Sequence, residues 1–259
     1  MEKIKLKSIN IDKLKRIKCK YHMESQLYHD NKKVYKIFYE CPKYKLEKKE
    51  RKIELLNEGP KLPHVVMPID KLVRDCRFAG YTMKYIYDSI PLYDIKKRNP
   101  DYKLLFKIIS TISKNLQTIH SDSRNIMVGD LNFNNIILDK WFNPYFIDFD
   151  SCKIDSLENE NIPAILWGYF QTRNIKIPIT NQNTDKISLL LSVLDIIFEK
   201  DISYITTYEY DKKAEYIKSL TNMKSIVLEM KKARKIPSVP YVHELIDKAD
   251  VQPKRKKRI

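Results

Sequence analysis

Asp130, Asn135 and Asp148 carry side-chain oxygens of the kind that hold a hard divalent cation or orient a hydroxyl. Asn135 follows Asp130 by five positions, and Asp148 comes thirteen later. All three lie in VGDLNFNNIILDKWFNPYFIDFDS, Val128 to Ser151, where four aspartates and four asparagines are set among two oily runs. Ile136-Ile137-Leu138 and Tyr145-Phe146-Ile147 read as short strands, with Asn143-Pro144 as the turn between them. Such a hairpin brings Asn135 and Asp148 close together. Phosphoryl transfer from ATP needs this set of groups: a carboxylate to position an acceptor hydroxyl, and oxygen ligands for the Mg²⁺ that neutralises the phosphates. Asp130 suits the first task, Asn135 and Asp148 the second. The plainer alternative is a polar turn.

The elements around this stretch divide near residue 90. Before it, LYHDNKKVYKIFY reads as two strands about an Asp30-Asn31 turn, and RFAGYTMKYI has strand spacing. One helix, about Tyr44 to Asn57, interrupts them and ends at Gly59-Pro60. After residue 100 the pattern is helical: Leu105, Ile108, Ile109, Ile112, Leu116 and Ile119 form one buried face, and DKISLLLSVLDIIFEK gives another helix. More helical segments run to about Ala249.

Length and composition set further bounds. The chain of 259 residues is 43% hydrophobic with seventeen tyrosines, enough for a folded domain or two lobes. ISLLLSVLDIIF is too short and too charged to span a bilayer, so no transmembrane segment is expected. The N-terminus lacks the apolar core of a signal peptide. Four cysteines without CxxC pairing argue against a zinc knuckle or disulfide framework and fit a reducing cytoplasm. Histidines show no ligand spacing, and no serine–histidine pattern suggests a hydrolase. The net charge of +16 comes mainly from scattered lysines. The tail from Pro253 to Ile259 is a true basic cluster, able to contact nucleic acid or an acidic partner.

Asp130-Leu131-Asn132-Phe133-Asn134-Asn135 and Asp148-Phe149-Asp150 resemble the D-L-x-x-x-N and D-F-G segments of the protein-kinase-like superfamily. Over about residues 20 to 200 the chain resembles a divergent, bacterial-type Ser/Thr protein kinase, with relatives among aminoglycoside and choline kinases. The resemblance implies that Lys36, in Val34-Tyr35-Lys36, grips the nucleotide phosphates. It also implies a glutamate on the following helix that orients this lysine. Glu47, Glu50 and Glu54 are the candidates; Glu50 is preferred for its place on the apolar stripe, and Glu54 is second choice. Ser25 stands where a phosphate loop would end. Met83 would back the adenine pocket, and the backbone of Lys84, Tyr85 and Ile86 would bond the base. Asp185, in a D-x-x-S-L segment, would anchor the catalytic loop, and His120 would pack near it.

The departures from the pattern are equally specific. No glycine precedes Gly59, so the glycine-rich phosphate loop is missing. Val128-Gly129-Asp130 replaces H-R-D, no A-P-E follows, and Asp150 replaces the last glycine of D-F-G, either to touch metal or to cap a turn.

The expectation is therefore an α+β, two-lobed protein-kinase-like fold. A small β-rich lobe with one main helix spans 1–88, a larger helical lobe 89–250 and a basic tail 251–259. The expected activity is ATP-dependent phosphotransfer with Mg²⁺ (or Mn²⁺) to an unknown protein substrate, at Ser or Thr, with Asp130 as base. The alternatives are a small-molecule phosphotransferase and a pseudokinase that binds a partner.

Overall fold

The computed structural model describes residues 1–18, 24–98 and 101–251. Cys19, His22 and the basic cluster from Pro253 lie outside the described residues. The architecture is α+β and consistent with a two-lobed kinase-like fold, as the sequence predicts.

A six-stranded sheet forms from β1 (Lys3–Lys5), β2 (Lys15–Arg16), β3 (Ser25–His29), β4 (Lys33–Phe38), β5 (Pro68–Arg74) and β6 (Arg77–Lys84), in the order β1-β5-β6-β4-β3-β2. β1 runs parallel to β5, and every other pairing is antiparallel. The β3–β4 hairpin turns at Asp30, whose carboxylate accepts from the backbone N–H of Lys32 (2.8 Å) and Lys33 (2.7 Å). Helix α1 (Lys43–Glu58) crosses between β4 and β5. Its inward residues are Lys49, Lys52, Ile53 and Leu56, a stripe at i, i+3, i+4 and i+7 in which two members are lysines.

β4 and β6 approach closely because position 80 is glycine. A Cβ there would stand 2.0 Å from the Lys36 carbonyl oxygen. Lys36 pairs with Tyr81, and Val34 pairs with Met83.

A second sheet, β7 (Ile90–Pro91), β8 (Ile136–Leu138) and β9 (Pro144–Phe146), carries the predicted hairpin. The turn between β8 and β9 is longer than Asn143-Pro144. Pro144 opens β9, and Asp139 organises the turn by accepting from the N–H of Trp141 and of Asn143, both at 2.9 Å. Proline at the first residue of a strand loses no ladder bond, which explains the shift. The segment before β5 ties onto this hairpin: Val66 N–H donates to Phe146 O (2.9 Å) and Phe146 N–H to His64 O (2.8 Å).

The helical part comprises α2 (Tyr102–His120), α3 (Ala164–Thr172), α4 (Gln182–Phe198), α5 (Thr207–Ala214), α6 (Lys218–Lys232) and α7 (Val242–Leu245). One large apolar core runs through it, from Leu105 on α2 through Leu190 on α4 to Met230 on α6. Asp101 caps α2, and Asn181 with Thr184 forms a capping box on α4. No helix among the described residues is long and apolar enough to cross a membrane.

Candidate active site

The loop from Val128 to Asn135 is fixed from below by α4. Asp185 accepts from Val128 N–H (2.7 Å) and Gly129 N–H (2.9 Å), and its carboxylate also meets His120 Nε2 at 3.0 Å. Ser188 Oγ donates to Leu131 O at 2.7 Å. Gly129 has φ +74°, and a Cβ there would come within 2.7 Å of the Asn159 Cβ, so glycine meets both demands of this position. The anchoring aspartate and packing histidine therefore stand where the sequence places them.

Asp130 is gathered against the asparagines that follow it. Asn135 Nδ2 donates to the Asp130 carbonyl (3.0 Å) and carboxylate (3.1 Å), and Asn132 Nδ2 donates to the same carboxylate (3.0 Å). This use of the Asn135 nitrogen leaves its amide oxygen as the group that can meet a cation. Burial raises the Asp130 carboxyl above the usual range; Glu24 and Asp185 add to this, against the asparagine hydrogen bonds. Asn135 O also accepts from Ile147 N–H at 3.0 Å, so the hairpin does set Asn135 beside Asp148. Asp148 has left-handed backbone (φ 70°, ψ 35°), an uncommon conformation for a non-glycine residue and one that clusters at functional sites.

Lys36 extends from β4 to both acids of the Asp148-Phe149-Asp150 segment. Its Nζ is paired with Asp148, lies 2.7 Å from Asp150 Oδ1 and sits 3.7 Å from Glu24. Burial opposes the charge on Lys36, but the carboxylates of Asp148, Asp150 and Glu24 outweigh it and hold the ammonium above the usual lysine range. Burial and the neighbouring Asp150 charge push the Asp148 carboxyl up, against the pull of Lys36. Asp150 is buried too, yet Lys36 and Lys49 hold its carboxyl well below the usual range.

The expected pairing of Lys36 with Glu50 is not formed. Glu50 meets Lys71 of β5 at 2.8 Å, and Glu54 pairs with the same lysine. Both sit one helical step away from the Lys49–Lys52–Ile53–Leu56 stripe, on the flank that faces β5. Lys49 holds the inward place instead, with its Nζ 3.0 Å from Asp150 Oδ2, 2.9 Å from Glu160 and 3.3 Å from Glu24. Glu47 lies further out, against Lys43.

The other predicted residues divide. Ser25 is buried in β3 opposite Phe38, and its neighbour Glu24 is the residue that approaches the two lysines. Met83 is buried in an apolar cluster with Val34 and Ile86, against which Ile17, Leu27 and Ile137 pack. Lys84 ends β6 and is exposed. Tyr85 stacks on His29 (centroids 4.4 Å apart), and its N–H donates to Lys32 O at 3.0 Å. That N–H is therefore committed within the protein.

Sequence reasoning missed Lys49, Tyr81, Glu24 and Glu160. Tyr81 Oη donates to Asp150 Oδ1 at 2.6 Å, and burial followed by the Asp150 charge raises the phenol's pKa. The available signal was Asp150 itself: an acid in place of glycine, inside an oily run, requires buried donors.

The donor chemistry fits the groups implied. Asp148 and the Asn135 amide are hard oxygen donors suited to Mg²⁺, and the oxygens of Glu24, Asp148 and Asp150 lie within 4.8 Å of one another. The Lys36 ammonium suits phosphate.

No family model matches the chain. The G-type lectin S-receptor-like serine/threonine-protein kinase B120 of Arabidopsis thaliana is 28% identical over 154 residues, 54% of this chain and 18% of that protein. The receptor-like serine/threonine-protein kinase SD1-8 of the same plant is 32% identical over 144 residues, 50% of this chain and 17% of that protein. The chain is kinase-like. It spans less than a fifth of the length of these curated relatives.

Proposed function

We propose that this kinase-like chain is an ATP- and Mg²⁺- (or Mn²⁺-) dependent phosphotransferase whose acceptor is a protein Ser or Thr hydroxyl. The observation that carries the reading is the meeting of Lys36 with Asp148, beside the Asp130–Asn135 pair. A phosphate-binding cation, two oxygen ligands and a candidate base converge from strand β4, the loop before β8 and the segment after β9. The base of the nucleotide would lie on Val34, Met83 and Ile137, with Lys84 and Ile86 left to bond it. Asp148 and Asn135 would hold the metal, which would neutralise charge on the transferring phosphate. Asp130 would face the acceptor hydroxyl and take its proton.

The finer placement, a divergent bacterial-type kinase related to aminoglycoside and choline kinases, draws on Asp150 in place of glycine and on the missing phosphate loop. Lobes at 1–88 and 89–250, a basic tail at 251–259 that contacts nucleic acid or an acidic partner, and a cytoplasmic site of action belong to the same proposal.

The turn of Glu50 and Glu54 towards Lys71 favours a second reading, a pseudokinase module that binds a partner. Incubating the purified chain with γ-labelled ATP and Mg²⁺ or Mn²⁺, and separating protein from small-molecule products, decides among these. Label on serine or threonine is expected. Label on a metabolite moves the assignment to a small-molecule phosphotransferase, and no label under either metal leaves the binding module.

A further inference from the structure

A lysine that grips phosphate must be held by a carboxylate that stays in place when the nucleotide and its metal arrive. Asp148 is needed as a metal ligand, and Glu50 and Glu54 are committed to Lys71. Glu24 lies 3.7 Å from Lys36, but its side chain is 40% exposed. Asp150 has none of these defects. Its side chain is fully buried, Oδ1 accepts from Lys36 (2.7 Å) and Tyr81 (2.6 Å), and Oδ2 accepts from Lys49 (3.0 Å). Its three donors come from β4, β6 and α1, and fix both oxygens.

We propose that Asp150, held by Lys49, is the positioning carboxylate for Lys36, so that the strand-to-helix link of this site runs with reversed polarity. Helix α1 contributes the cation, and the segment after the hairpin contributes the anion. This rests on the phosphotransferase reading above.

The physical reason lies in the cost of a buried charge. A fully buried carboxylate, held among Lys36, Tyr81 and Lys49, must be neutralised. With Lys36 as its one ammonium, it would tie up the charge that phosphate needs. Lys49 supplies a second ammonium on the other oxygen, so Asp150 orients Lys36 without monopolising it. Both ammoniums also lie near the Phe38 ring, its centroid 5.2 Å from Lys36 Nζ and 5.3 Å from Lys49 Nζ. The same arrangement accounts for the acid at position 150 and for the lysine at position 49. A glycine at 150 would leave Lys49 without its buried partner, and a glutamate at 49 would face Asp150 with like charge.

The test compares wild type with Lys49→Met, Lys49→Arg, Asp150→Asn, Lys49→Glu and the double variant Lys49→Glu/Asp150→Gly. Each is checked for fold by circular dichroism and assayed over ATP concentration at saturating metal. Lys49→Met and Asp150→Asn should lower kcat about tenfold or more, with a smaller change in KM, because they loosen a group needed in the transition state. Lys49→Arg should retain most activity. The double variant, which puts the anion on the helix, should exceed Lys49→Glu alone by about tenfold. Wild-type kcat in Lys49→Met overturns the inference, as does a rise in KM alone, which marks a direct phosphate contact. A double variant no better than Lys49→Glu also overturns it. If Lys49→Met does not fold, Lys49→Arg and the double variant decide by the same criteria. A wild type that neither binds nor turns over Mg-ATP defeats the phosphotransferase reading itself.

Discussion

Lys36 Nζ and Asp150 Oδ1 stand 2.7 Å apart in a fully buried setting, joining strand β4 to the segment that follows the hairpin. Asp148 flanks the same ammonium from the neighbouring position. The two acids have different surroundings: Asp150 is closed in by three donors, whereas the Asp148 side chain is 30% exposed. The open one is the metal candidate.

Asp148→Asn should therefore abolish metal-dependent nucleotide binding without unfolding the chain, since Asp150 still neutralises Lys36. At a Mg-ATP concentration of about 100 times Kd, wild type should gain about 2.7 kcal/mol of stability. The variant should gain none. Equal thermal stabilisation of the two proteins removes Asp148 from the metal site.

Glu50→Ala should leave phosphoryl transfer within about twofold of wild type, because Glu50 serves Lys71 rather than Lys36. Its stability cost should be about 1 kcal/mol or less, with Glu54 still on Lys71. Removing both glutamates strands the buried Lys71 charge and should cost about 3–5 kcal/mol. Chemical denaturation beside a kinetic assay reads both. A collapse of kcat in Glu50→Ala would restore it as the orienting residue.

The contrast between Glu50 and Asp185 shows what the sequence could tell. The hairpin, the Asp130–Asn135 spacing and the helix that presents Asp185 were legible because each is set within a short window of apolar periodicity and turn residues. Helix α1 was legible as a helix, but its inward face was not. The rule that buried stripes are apolar pointed to Glu50 through Leu46 and Ile53, whereas the structure buries Lys49 and Lys52. Lys49 finds its counter-charge on Asp150, 101 residues away, and no local window contains both. Burial of a charge is decided by tertiary partners, so the pattern on one helix could not reveal it.

Gly80→Ala should displace β4 at Lys36, since the new Cβ would lie 2.0 Å from a backbone oxygen that cannot rotate away. Overpacking of this kind costs about 1–3 kcal/mol. Because the displaced residue carries the ammonium proposed to bind phosphate, nucleotide affinity should fall along with the melting temperature. A loss of stability with unchanged Mg-ATP affinity would separate Lys36 from nucleotide binding.

Asp185→Ala should leave the N–H groups of Val128 and Gly129 without their buried acceptor, each at a cost of about 1–3 kcal/mol. The loop that presents Asp130 would loosen, and hydrogen exchange of the amides from Val128 to Asn135 should speed up. Nucleotide affinity, which the proposed function assigns to Lys36 in the sheet, should change less than kcat. Unaltered exchange in this loop would show that Ser188 and the surrounding core hold it without Asp185.

With Asp130 as the proposed base, the pH dependence expected of transfer follows from its surroundings. Burial raises its carboxyl, and the charges of Glu24 and Asp185 add to that rise. A base works only as the carboxylate, so activity is present above the folded pKa and is lost as pH falls through it. Since that pKa is raised, the acid limb of kcat/KM should begin at a higher pH than the ordinary aspartate value of about 3.9. Asp130→Asn cannot accept the proton at any pH. Its transfer rate should drop by about 10²–10⁴-fold and lose the acid limb, while Mg-ATP affinity stays near wild type. If the variant keeps the same limb at a reduced rate, the titrating group is elsewhere, and Asp130 orients the acceptor hydroxyl without taking its proton.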